Sequence, residues 1–168
     1  MTIRSFVLIV LALALPFSPA RAASDNPEIR AVIESFRTSI IQKDRERFLA
    51  LFVQPDIPWQ SVLDDKSLAR IQVKRPEAIK ARFERENNPV DFIDDIVKSK
   101  NASEETFSNI KIDSDGDVAA VTFDYSFLSN GRATNSGKEC WLMVRTEAGW
   151  KITTLAYSVT LAPAPPGT

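Results

Sequence analysis

Three short stretches of the chain bring together side chains that could do chemistry. Asp124-Tyr125 sets an acid beside a phenol. Asp91, Asp94 and Asp95 crowd one segment, with two of them four residues apart. Residues 113–117, Asp-Ser-Asp-Gly-Asp, carry the oxygen-rich composition of a calcium loop. Each has a plainer explanation. Neighbouring residues on a strand point to opposite faces, so only one of Asp124 and Tyr125 can enter a cavity, and the alternation Val121, Phe123, Tyr125, Phe127 assigns that place to Tyr125. Acids four apart also line the solvated face of an amphipathic helix, which is how we read 91–95. An EF-hand loop requires glycine at its sixth position, whereas here the fourth is Gly116 and the sixth is Val118, so 113–117 reads as a turn between strands.

What the chain lacks narrows the chemistry further. It has no histidine, which removes the usual base near neutral pH and the commonest zinc ligand. Cys140 is the single cysteine, so it has no partner to activate it and none for an internal disulfide. Set in a strand-like run, it reads as a small apolar core residue. We therefore expect no metal, no cofactor and no catalytic set that composition alone reveals.

Residues 1–22 read as a cleaved export signal. Arg4 precedes a ten-residue apolar run from Phe6 to Leu15, and Pro16, Pro19, Ala20 and Ala22 follow. A membrane span needs about 20 apolar residues, so no span is expected after cleavage at Ala22, and the protein is expected in a periplasm or outside the cell. The remaining 146 residues hold 19 basic against 22 acidic side chains, a net −3 that offers nucleic acid no footprint. We read a single domain over 23–162 and a Pro-rich loose tail over 163–168.

Asn26-Pro27 starts a helix whose stripe is Ile29, Val32, Ile33, Phe36 and Ile40. Asp44 caps a second helix carrying Phe48, Leu51 and Phe52, and residues 57–62 form a short extended piece holding Trp59. A helix over 76–88 with Ile79 and Phe83 inward and another from Asn88-Pro89 with Phe92, Ile93, Ile96 and Val97 complete the first half. From Thr106 the period changes to two, giving strands over 106–113, 117–128, 138–147 and 149–160 with turns at Asp115-Gly116, Asn130-Gly131 and Ala148-Gly149. Helices followed by an antiparallel meander make an α+β protein.

A three-residue turn in the last hairpin sets Cys140, Leu142, Val144, Trp150 and Ile152 on one face. Trp141, Met143, Leu155 and Tyr157 take the other. Both faces are then apolar and both need cover, one from the helices and one from a second copy of the chain. A two-residue turn would exchange some of these partners.

The element order, closed by Gly149-Trp150-Lys151-Ile152, resembles the nuclear transport factor 2-like superfamily over residues 27–161. That group includes ketosteroid isomerases, SnoaL-type polyketide cyclases and scytalone dehydratase. The resemblance implies a cystatin-like cone, with a curved antiparallel sheet wrapped around the first helix, a cavity at one end and homodimers through the sheet. Several relatives carry histidines or an acid in the last strand, where this chain has Thr153, Thr154, Leu155, Ala156 and Tyr157. We expect a pocket lined by Phe52, Trp59, Tyr125, Trp141, Trp150 and Tyr157, holding a small apolar molecule or a partner protein without catalysis. The alternative is an isomerase, cyclase or dehydratase with a buried carboxylate base, for which Asp64, Asp65, Glu139 and Asp124 are the candidates. A filled cone would leave a purely structural domain. A buried carboxylate on the pocket, facing a tyrosine, selects the enzyme.

Overall fold

The computed structural model describes residues 26–163. The export signal expected over 1–22 and all but the first residue of the tail expected over 163–168 lie outside the described residues. Helix α1 (Pro27–Gln42) begins where the Asn26 side chain accepts hydrogen bonds from the backbone of Glu28 and Ile29, and it ends at Lys43, which turns into the left-handed region. Asp44 then caps α2 (Arg45–Leu49), and strand β1 (Gln60–Leu63) follows. Asp64 caps α3 (Asp65–Gln72), and Asn88 caps α4 (Pro89–Lys98). The meander comprises β2 (Ser103–Ser114), β3 (Val118–Ser129), β4 (Arg132–Thr146) and β5 (Gly149–Leu161).

The sheet order is β1-β5-β4-β3-β2. The four long strands are antiparallel, whereas β1 joins β5 in parallel, so the sheet is mixed at that edge. Register shifts at Ser108–Lys111 in β2, where Asn109 has positive φ, and between Leu142 and Met143 in β4 bend the sheet. The bend lets the inner face close on α1, which buries Ile29, Ile33, Phe36, Ser39 and Ile40 against it. Four long strands around one helix stripe thus carry the α+β cone. Among the described residues no helix is long and apolar enough to cross a membrane.

Two expectations about elements are corrected. Residues 76–88 form no helix, and Ile79 and Phe83 are 58% and 66% exposed. The backbone there is used differently: the Lys80 carbonyl accepts from Leu63 N–H, and the Arg82 carbonyl accepts from the Gln60 side chain. The segment therefore runs alongside β1 and does not close on itself. A helix forms earlier, at 65–72, because Asp64 supplies the cap.

The register of the last hairpin is also corrected. Thr146 pairs with Gly149, so the turn has two residues, and Thr153 is the extra residue of the bulge. Met143 consequently pairs with Ile152 and Arg145 with Trp150, which brings Trp150 and Ile152 to the inner face beside Trp141 and Leu155. Cys140 is exposed and Leu142 is 50% exposed on the outer face, so Cys140 is not a core residue. The argument for a second copy covering an equally apolar face loses its basis.

Candidate active site

Inward positions of four strands meet at one end of the cone. Ser103, Glu105 and Phe107 alternate inward on β2, Tyr125 and Phe127 on β3, Asn135 and Glu139 on β4, and Tyr157 on β5. Phe36 from α1, Phe92 from α4 and Trp59 before β1 close the other side. These side chains, Ser103 and Phe107 apart, enclose a cavity of about 160 Å³. Its inner wall is buried: Phe36, Trp59, Glu105, Tyr125 and Glu139. Phe92, Phe127, Asn135 and Tyr157 are half-exposed and form the mouth.

Two carboxyl groups in this wall are almost out of water, Glu105 at 3% and Glu139 at 5% exposure. They hydrogen-bond each other. The Trp141 indole N–H donates to Glu139 Oε2 at 2.8 Å. Burial is the main cause that raises both acids. Glu139 is pushed up to about 7, with Trp141 and then Glu105 pulling it back by donating to its charged form. Glu105 is driven well above the usual carboxylate range by burial and then by the charge of Glu139. The pair therefore shares one proton, carried by Glu105 and donated to Glu139.

Among the described residues nothing cationic lines the cavity. The adjacent strand residues point away and pair elsewhere, Glu104 with Arg37 at 3.0 Å and Lys138 with Asp124 at 2.6 Å. Both phenols of the wall also donate away from it, Tyr125 to the Ser158 carbonyl at 2.9 Å and Tyr157 to Asn87 Oδ1 at 3.0 Å. Burial raises both phenols.

Of the six residues expected at the pocket, Trp59, Tyr125 and Tyr157 line it. Phe52 sits in the core behind Trp59, with ring centroids 5.9 Å apart. Trp141 is packed between Phe36 and Phe123 and reaches the site only through its N–H. Trp150 is buried farther along the hairpin, and its indole N–H has no hydrogen-bond partner among the described residues. Among the candidate acids only Glu139 enters. Asp64 caps α3 and also accepts from Thr160, and its hydrogen bonds with Ser67 and then Thr160 pull it down to about 2. Asp65 pairs with Lys80 in solvent, and Asp124 lies on the outer face as expected. A strand beginning at Thr106 leaves Glu105 outside the candidate set; β2 begins at Ser103, and the inward alternation of Ser103, Glu105 and Phe107 is the signal that shows it. Phe36, Phe92, Phe127 and Asn135 were not assigned to the pocket either.

The remaining motifs take the plainer reading. Asp115 accepts from the backbone of Asp117 and Val118 in the β2–β3 turn. Asp91 accepts from Asn88, and Asp94 from Arg45. Among the described residues no three His, Cys, Asp or Glu side chains gather as a metal site. A larger groove of about 400 Å³ between β1 and the 75–84 segment is lined by solvent-facing side chains such as Arg75, Lys80 and Arg82.

Gly137 sits opposite Tyr125, and a β-carbon there would lie 2.0 Å from the Ser158 carbonyl oxygen that Tyr125 uses. Gly137→Ala must push β5 away, so it should cost about 1–3 kcal/mol in denaturant unfolding. Trp141→Phe removes the N–H that favours the charged form of Glu139. That group should then titrate above about 7 in carboxyl-carbon NMR. Trp150→Phe, which removes an unpaired N–H, should leave the titration where it is.

No family model matches the sequence, and no curated protein matches it. Solved structures do. A nuclear transport factor 2-like superfamily protein from Salmonella enterica superposes with a TM-score of 0.54 at 19% identity, covering 84% of this chain and 94% of its own. A protein of unknown function with a cystatin-like fold from Nostoc punctiforme gives 0.52 at 16% identity over 84% and 94%. A putative scytalone dehydratase from Novosphingobium aromaticivorans gives 0.55 at 17% over 84% and 93%. These superpositions, each over 84% of the chain, show that it has the nuclear transport factor 2-like, cystatin-like fold.

Proposed function

We propose that the protein is a general acid–base enzyme that moves protons on a small, ring-sized substrate. The observation that carries this reading is the buried Glu105–Glu139 pair opening onto an otherwise aromatic cavity. An ionised carboxylate in a dry, apolar wall is a stronger base than one in water, and a value near 7 suits work at neutral pH. Glu139 accepts a proton from the substrate while Glu105 gives one to a second position. The pair ends with the charge it began with, and a proton shift or loss of water is completed without a histidine. A cavity of about 160 Å³ suits a single ring, since an engineered cavity of ~150 Å³ admits benzene. The putative dehydratase among the solved neighbours agrees in reaction class.

The test is the base-promoted ring opening of 1,2-benzisoxazole, which needs only a base in an apolar pocket. Turnover should appear above buffer and rise with pH through about 7, following ionisation of Glu139. A rate equal to that of buffer overturns the reading. A second reading, a non-catalytic binding pocket, is favoured by the aromatic lining and by the two phenols that donate elsewhere. Export through residues 1–22 and a dimer through the sheet stay separate proposals, which the intact and native masses of the protein from its host would test.

A further inference from the structure

We infer that the pocket takes its substrate as a monocation, a protonated amine or iminium of about single-ring size. The inference rests on the acid–base reading of the same site and names its substrate class. Negative charge developing in the cavity would find little help. The hydroxyl protons of Tyr125 and Tyr157 are committed to Ser158 and Asn87, among the described residues no Lys or Arg lines the wall, and the Asn135 amide at the mouth spends one of its two N–H groups on Thr134 Oγ1. An anionic substrate would also have to bind beside the Glu139 carboxylate.

Positive charge meets the opposite surroundings. A buried carboxylate without a counter-ion is costly, and a ligand cation supplies the missing partner. The ring faces add to it. Trp59 and Phe92 lie 5.3 Å apart between centroids, Phe92 and Phe127 6.0 Å, and Tyr125 and Tyr157 6.2 Å, so one cation in the cavity can sit near several rings at once. The charged groups closest in sequence do not compete, because Arg37 is held by Glu104 and Lys138 by Asp124 away from the lining. A positive charge on the substrate also acidifies its neighbouring C–H bonds, which brings them within reach of a carboxylate base.

Calorimetric titration of the full protein with cyclohexylammonium and with cyclohexanol, which match in size and differ in charge, tests this. At pH 8 the cation should bind about tenfold tighter or more. Its advantage should shrink at pH 5 while cyclohexanol binding stays level. The titratable groups facing Glu139 are Glu105, Tyr125 and Tyr157, and neither phenol ionises in that range. Glu139→Gln should abolish the preference, and the pH comparison in the unaltered protein gives the same information should the variant fail to fold. Equal or tighter binding of cyclohexanol at pH 8, or no binding of either probe, overturns the inference. Benzisoxazole opening that persists alongside such a result would leave the acid–base reading standing alone. A cation preference without ring opening would remove the acid–base reading and leave a cation-binding pocket.

Discussion

Glu139→Gln should reduce benzisoxazole opening by about 10²–10⁴-fold, the range that a positioned base contributes. The amide keeps the size of the side chain and its acceptor oxygen for the Trp141 N–H, so the wall survives while the base is gone. Glu105→Gln should behave differently. It replaces the neutral carboxyl that donates to Glu139 and lowers it, so the base remains with an altered pH midpoint. Rates that are the same in Glu139→Gln and in the parent protein would mean that any turnover arises elsewhere. A moved midpoint in Glu105→Gln, with turnover kept, separates the two carboxyls by role.

Stability should fall as pH rises through the neutral range, against the habit of proteins whose carboxylates are held by ion pairs. Glu139 is raised in the folded state from 4.5 to about 7, so the folded protein holds a proton that the unfolded chain releases across that window. Its penalty is absent below pH about 4.5, grows from there, and is complete above about 7, where it amounts to about 3 kcal/mol, or on the order of 10 °C in melting temperature. Glu105, also raised by burial, adds to the decline with the same sign. The lowered surface acids Glu34, Asp64 and Asp124 act with the opposite sign, and below this window. Melting curves from pH 5 to 8 should therefore slope downward in the parent protein and be flatter in the double variant Glu105→Gln/Glu139→Gln. A flat parent curve, or an equal slope in the double variant, would contradict the shared buried proton.

Much of the architecture could be read from residue types because local signals agree with the tertiary fold. Asn26, Asp44 and Asn88 are helix caps in sequence and in space, and the period-two runs from Thr106 onward become the meander. Where the two levels part, backbone partners decide. The 76–88 segment has a helical pattern, but its carbonyls serve β1, and no periodicity reveals that. The two-residue turn brings Trp150 and Ile152 to the inner face, and the bulge at Thr153 lets Leu155 and Tyr157 share it, because one extra residue flips every side chain beyond it. Trp59, Tyr125 and Tyr157 were legible as pocket residues from aromatic type and alternation. The carboxyl pair was only half legible. Glu139 stood out as an acid within an apolar run, whereas Glu105 becomes significant only once β2 is known to begin at Ser103 and to turn that side chain toward Glu139 across β3.

The most direct test of the account is a carboxyl-carbon NMR titration of the glutamates in the full protein, with Glu139→Gln and Glu105→Gln used for assignment. One buried resonance titrating near pH 7 and a second raised well above the usual carboxylate range, each displaced when the other glutamate is replaced, is the predicted result. Two independent titrations near 4.5, unaffected by either substitution, would mean that the carboxyls are solvated and separate, and the proposed acid–base site would fall with them.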